Sequence, residues 1–70
     1  MYNYIKGKIT EINPNYITLD NSGIGYKLLT PNPYNFAIDS EVTCHIYQKV
    51  TDDAINLYGF KSSDQRDLFI

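Results

Sequence analysis

Apolar and polar side chains alternate over five short stretches of this chain, and each stretch closes in a turn. That period of two restricts the fold to β-structure, because successive strand side chains point to opposite faces. The first stretch, Tyr2 to Ile12, places Ile5 and Ile9 on one face and Lys6, Lys8 and Thr10 on the other. Gly7 lies in its middle, where a glycine predicts a bend or bulge as the strand passes from one sheet to another. Asn13-Pro14-Asn15 is a turn by composition, and Tyr16 to Asp20 is a second strand rich in β-branched and aromatic residues.

Asn21-Ser22-Gly23 predicts a hairpin into a third strand, Ile24 to Leu29, with Ile24, Tyr26 and Leu28 on one face. Gly23 and Gly25 flank Ile24 and predict a tight entry or the close approach of another backbone. Pro31-Asn32-Pro33 ends that strand, since proline has no ladder donor. One helical turn is expected over Tyr34 to Ile38. The fourth strand, Glu41 to Val50, directs Val42, Cys44 and Ile46 one way and Thr43, His45, Tyr47 and Lys49 the other. Thr51-Asp52-Asp53 forms a polar tip before a fifth strand, Ala54 to Phe60. Ser62 and Gln65 have capping-box spacing, which predicts a helix over Asp64 to Ile70. Its apolar end, Leu68-Phe69-Ile70, has no C-cap and reads as the start of a new element. Five strands, the first long and bent, predict an all-β chain folded as a five-stranded OB-fold Greek-key barrel, with an SH3-like barrel as the competitor. The expected division is a barrel over 1–61 and the start of a new helical element over 62–70.

Composition narrows the function. The 70 residues are 43% hydrophobic and 20% charged, with a net charge of −2. No apolar run approaches the roughly 20 residues that span a bilayer, and no secretion signal opens the chain. Cys44 is the single cysteine, so no internal disulfide can form, and a reduced, cytoplasmic setting is expected. A lone Cys and a lone His make no zinc site, and no metal or cofactor is expected. A core below about 70–80 residues rarely stabilises a fold by more than a few kcal/mol, so self-association or attachment to more polypeptide is expected.

Catalytic constellations are weak. His45 is the only histidine, and its neighbour Cys44 projects to the opposite face, so the two cannot form a nucleophile–base pair. Neither a Gly-x-Gly-x-x-Gly run nor a Walker lysine is present. Asp52 and Asp53 form the only adjacent acidic pair, open to three readings: metal ligands, ordinary turn residues, or an acidic projection that repels phosphate. Seven tyrosines, with Tyr4 beside Lys6 and Lys8, allow a base-stacking platform, yet tyrosine equally serves strands and subunit interfaces. The absence of a basic surplus weighs against strong non-specific nucleic-acid binding.

Several segments together carry a resemblance. Ile5-Lys6-Gly7-Lys8-Ile9, Ser22-Gly23-Ile24-Gly25-Tyr26, and Asp52-Asp53-Ala54-Ile55-Asn56-Leu57-Tyr58-Gly59-Phe60 resemble, in order and spacing, the N-terminal domain of the RuvA family. The tail Asp64-Gln65-Arg66-Asp67-Leu68-Phe69 is similar to the first helix of that family's second domain. The resemblance implies an OB-fold in a homotetramer that binds four-way Holliday junctions. It also implies recruitment of the RuvB hexameric ATPase for branch migration in recombination and DNA repair, including the SOS response. On this resemblance Asp52 and Asp53 match an acidic pin at the junction centre, with Asp-Asp where Glu-Asp is common. Gly7, Gly23, Gly25, Tyr26, Leu57, Tyr58, Gly59 and Phe60 match family motif positions. The domain itself would be non-catalytic, the duplex-binding helix-hairpin-helix motifs and motor-binding domain have no match here, and the segment Pro31 to Ser40 is shorter than in some relatives. Two other readings stay open, a free-standing OB-fold single-strand binder and a purely structural oligomerisation module.

Overall fold

The computed structural model describes residues 3–69. Five strands follow the alternation: β1 (Tyr4–Ile12), β2 (Tyr16–Asn21), β3 (Ile24–Leu29), β4 (Glu41–Val50) and β5 (Ile55–Phe60). Tyr2, the expected start of the first strand, lies outside the described residues. The strands close into a barrel in the order β1-β2-β3-β5-β4, with β4 returning to β1. All neighbours are antiparallel except β3 and β5, which run parallel at Leu29 opposite Tyr58. This closed order is the OB-fold arrangement.

One face of β1 to β4 fills the interior, with Leu57 of β5 packed at its margin. Ile5, Ile9, Ile17, Leu19, Leu28, Cys44 and Ile46 form the core, joined by Phe36 from the segment between β3 and β4. The register explains the choice: Ile5 lies opposite Cys44, Ile9 opposite Leu19, and Ile17 opposite Leu28, so inward residues meet across each ladder.

Gly7 acts differently from the expected bulge. The register irregularity of β1 falls between Ile9 and Glu11 instead. Gly7 stays in regular pairing with Val42, and a Cβ there would collide with the Asp20 carbonyl oxygen. The strand does change partners close by, since Lys8 is opposite Glu41 on β4 and opposite Asp20 on β2. Glycine is therefore needed for the crossing of two backbones.

The β2–β3 hairpin has Ser22 at φ 54° and Gly23 at φ 88°. Both central residues at positive φ make a type I′ turn, whose twist suits a two-residue hairpin. The Asp20 carboxylate accepts the Gly23 N–H at 3.0 Å. Gly23 thus provides the tight entry. At Gly25 no backbone approaches; a Cβ there would meet only Thr18 Cγ2 at 3.4 Å.

The helical turn expected over Tyr34 to Ile38 is a single 3₁₀ turn at Pro33–Asn35. Pro33 presets its first φ, and Phe36 leaves it in extended conformation to enter the core. The C-terminal helix α1 spans Ser63–Phe69, one residue earlier than expected at its start, and Ile70 lies outside the described residues. Ser62 Oγ accepts the Gln65 N–H at 3.2 Å, which is the predicted cap. Arg66 ties this helix to the other end of the chain, donating to Asn3 Oδ1 at 2.8 Å and Asn3 O at 3.2 Å.

Candidate nucleic-acid interface

The tip of the β4–β5 ribbon is built by one residue pair. Thr51 N–H donates to the Ala54 carbonyl at 2.8 Å, and the Thr51 hydroxyl bridges the Ala54 N–H and carbonyl at 3.2 Å each. That clamp leaves Asp52 and Asp53 as a two-residue loop with both side chains exposed. Among the described residues the ion pairs are Lys8–Asp39 at 3.8 Å and Arg66–Asp67 at 3.3 Å, so neither tip carboxylate is neutralised by a neighbour. No third His, Cys, Asp or Glu among the described residues gathers with them into a metal-binding group. Two anionic groups are thus held at the end of an antiparallel ribbon, facing water.

Below the tip the two faces of the ribbon differ. Ile46, Gln48 and Val50 share one face with their partners Gly59, Leu57 and Ile55. Ile46 is 3% exposed in the core, Gln48 and Leu57 are half-buried at the rim, and Val50 and Ile55 are 65% and 66% exposed. The core-facing stripe of the barrel therefore continues past the rim into solvent. On the other face, Tyr47 opposes Tyr58 with ring centroids 6.0 Å apart.

That outer face is covered by the chain's own helix. Phe69 lies 5.1 Å from both Tyr58 and Phe60 and 6.2 Å from Tyr47, ring centre to ring centre. Tyr47 thus meets α1 of its own chain. His45 points outward between Tyr4 and Phe60, while its neighbour Cys44 is sealed in the core. Burial pushes the Cys44 thiol up to about 11, with Lys61 partly opposing the shift. A neutral, enclosed thiol facing away from His45 is structural. A groove of about 320 Å³ between α1 and residues 30–36 shares no residue with the ribbon tip.

The outward surface of β1, β2 and β3 carries Lys6, Lys8 and Lys27, but acids interleave with them. Lys8 is flanked by Asp20 and Glu41 in register and bridged to Asp39. Glu11 accepts from Thr18 at 3.0 Å, and Lys27 lies 4.6 Å over the Tyr16 ring. Tyr4, the proposed stacking residue, is 57% exposed beside this mixed-charge surface. No continuous basic stripe forms there.

The family described as the RuvA N terminal domain matches residues 1–59. The chain belongs to this family. It is 46% identical over 70 residues to the "Holliday junction branch migration complex subunit RuvA" of Acholeplasma laidlawii, covering all of this chain and 38% of that protein. The protein of the same name in Lysinibacillus sphaericus is 49% identical over 72 residues, covering 99% of this chain and 34% of the relative. The Lactobacillus johnsonii protein is 44% identical over 70 residues, covering the whole chain and 36% of the relative. The chain therefore spans little more than a third of these relatives.

The positions that the resemblance singles out divide by structural role. Gly7 and Gly23 answer backbone demands, and Gly59 makes room for Leu28, whose side chain would lie 3.1 Å from an added Cβ. Leu57 lines the rim, Tyr26 packs against the core, and Tyr58 and Phe60 form the seat of α1. Exposure of Val50 and Ile55 was not legible from periodicity, which assigns them a face but not the height of the barrel rim.

Proposed function

We propose that this chain is the junction-facing domain of a Holliday-junction-binding subunit, presenting Asp52 and Asp53 to the crossover point of four-way DNA. One observation carries the reading: an unneutralised pair of carboxylates at the end of a clamped ribbon, in a member of the RuvA N-terminal family. Carboxylates facing phosphates across partly excluded water repel them more strongly than in bulk solvent. In a fourfold assembly the tips of four chains would gather around one axis. The centre would then keep strands apart while cationic groups elsewhere hold the arms, favouring an open junction.

The barrel over 1–61 is the first unit in this proposal, and 62–70 opens the helix of the next. That following polypeptide would bring the duplex-binding motifs and the contact to a RuvB-type hexameric ATPase. The domain itself takes no part in ATP hydrolysis and works in the cytoplasm. The interleaved charges of β1, β2 and β3 favour this role over single-strand binding, which relies on basic grooves. A competition titration of the full-length gene product tests the reading. Preference for a four-way junction over duplex of the same sequence is expected, and equal affinity for the two would overturn it.

A further inference from the structure

We infer that Val50 and Ile55 form an aliphatic wedge that packs on the exposed base-pair faces at the branch point, directly beneath the acidic tip. The inference rests on the junction-facing role proposed above and adds a second contact to it. Val50 and Ile55 lie directly opposite each other on one face of the ribbon. In the neighbouring Thr51–Ala54 pair the Thr51 N–H donates to the Ala54 carbonyl across the ribbon. The Val50–Ile55 pair is therefore a non-hydrogen-bonded site, where facing side chains stand closest. Together they make a compact apolar ridge, and both remain about two-thirds exposed although β-branched aliphatics favour burial.

Size and charge choose the occupant. Two side chains fall far short of the roughly 800 Å² per partner of a stable protein interface. They match the dimensions of the apolar wedges that proteins set against base steps. Two carboxylates within three residues of each member repel a sugar–phosphate backbone but leave the uncharged face of a base pair acceptable. Pairs flanking a branch point already lack a stacking neighbour on one side, so covering that face requires no unstacking.

The test uses the full-length gene product and a four-way junction carrying 2-aminopurine at the branch-point pair. Val50→Thr/Ile55→Thr keeps β-branching at two exposed positions, and circular dichroism confirms that the barrel is retained. The native protein should change the branch-point fluorescence on binding. The double variant should lose at least about half of that change and bind the junction about two- to fivefold more weakly. An undiminished change in the variant would overturn the wedge while leaving the junction role standing. A shift in oligomeric state by sedimentation would overturn it too, by making the ridge a contact between subunits. No preference of the native protein for the junction over duplex would remove the underlying proposal, and the wedge with it.

Discussion

Gly7 lies against the main-chain carbonyl of Asp20, with no room for a Cβ between them. β1 changes partners from β4 to β2 at this crossing, so the contact is between backbones and cannot be relieved by a rotamer change. Gly7→Ala should destabilise the barrel by about 2–3 kcal/mol, as overpacking of a rigid site does. Gly25→Ala, facing only Thr18 Cγ2 at 3.4 Å, should be neutral or slightly stabilising. Urea denaturation of the two variants measures the difference.

The β2–β3 turn offers a gain. Ser22 holds φ 54°, a region that asparagine tolerates better than serine. Ser22→Asn should raise the unfolding free energy by a few tenths of a kcal/mol. Gly23→Ala, at φ 88°, should lower it by about 1 kcal/mol. Thermal melts should order the variants as Ser22→Asn above native above Gly23→Ala.

Cys44 sets a pH dependence. Its thiol is raised from 9.0 to about 11 by burial, against the partial opposition of Lys61. Below pH 9 both folded and unfolded thiols are protonated, and the group leaves stability unchanged with pH. As pH rises from 9 toward 11 the unfolded thiol ionises while the folded one does not, so stability falls. The full effect is about 2–3 kcal/mol. Cys44→Ala should be less stable at neutral pH through the cavity it leaves, yet should lose less stability between pH 9 and 11 than the native chain. Equal slopes would contradict the assignment.

The helix is held by a few contacts. Phe69 supplies the ring against Tyr58 and Phe60, and Arg66 reaches Asn3. Phe69→Ala should free α1, with the loss of amide-exchange protection confined to Ser63–Phe69 while the barrel strands keep theirs.

Much of this architecture was readable from side-chain alternation. Ile5, Ile9, Cys44 and Ile46 point inward as the period of two requires, and the Ser62 cap follows from its spacing to Gln65. The change of partners expected near Gly7 is present, but a strand glycine serves either a bulge or a close crossing, and the position of Asp20 decides for the crossing. The turn begins at Pro33 rather than Tyr34 and ends at Asn35, because Phe36 is drawn into the core and cuts it short. At the candidate site the acidic pair stood out in the chain, but the ridge of Val50 and Ile55 depends on how far β4 and β5 overhang the barrel. That is a property of closure, invisible in a local pattern.

The most direct measurement of the central claim is junction affinity of the full-length Asp52→Asn/Asp53→Asn variant across a salt series. The proposed repulsion predicts tighter binding than native, about fivefold at low salt, converging with native as screening shortens the Debye length toward 3 Å near 1 M. Unchanged affinity at low salt, with unchanged arm geometry by energy transfer, would contradict it.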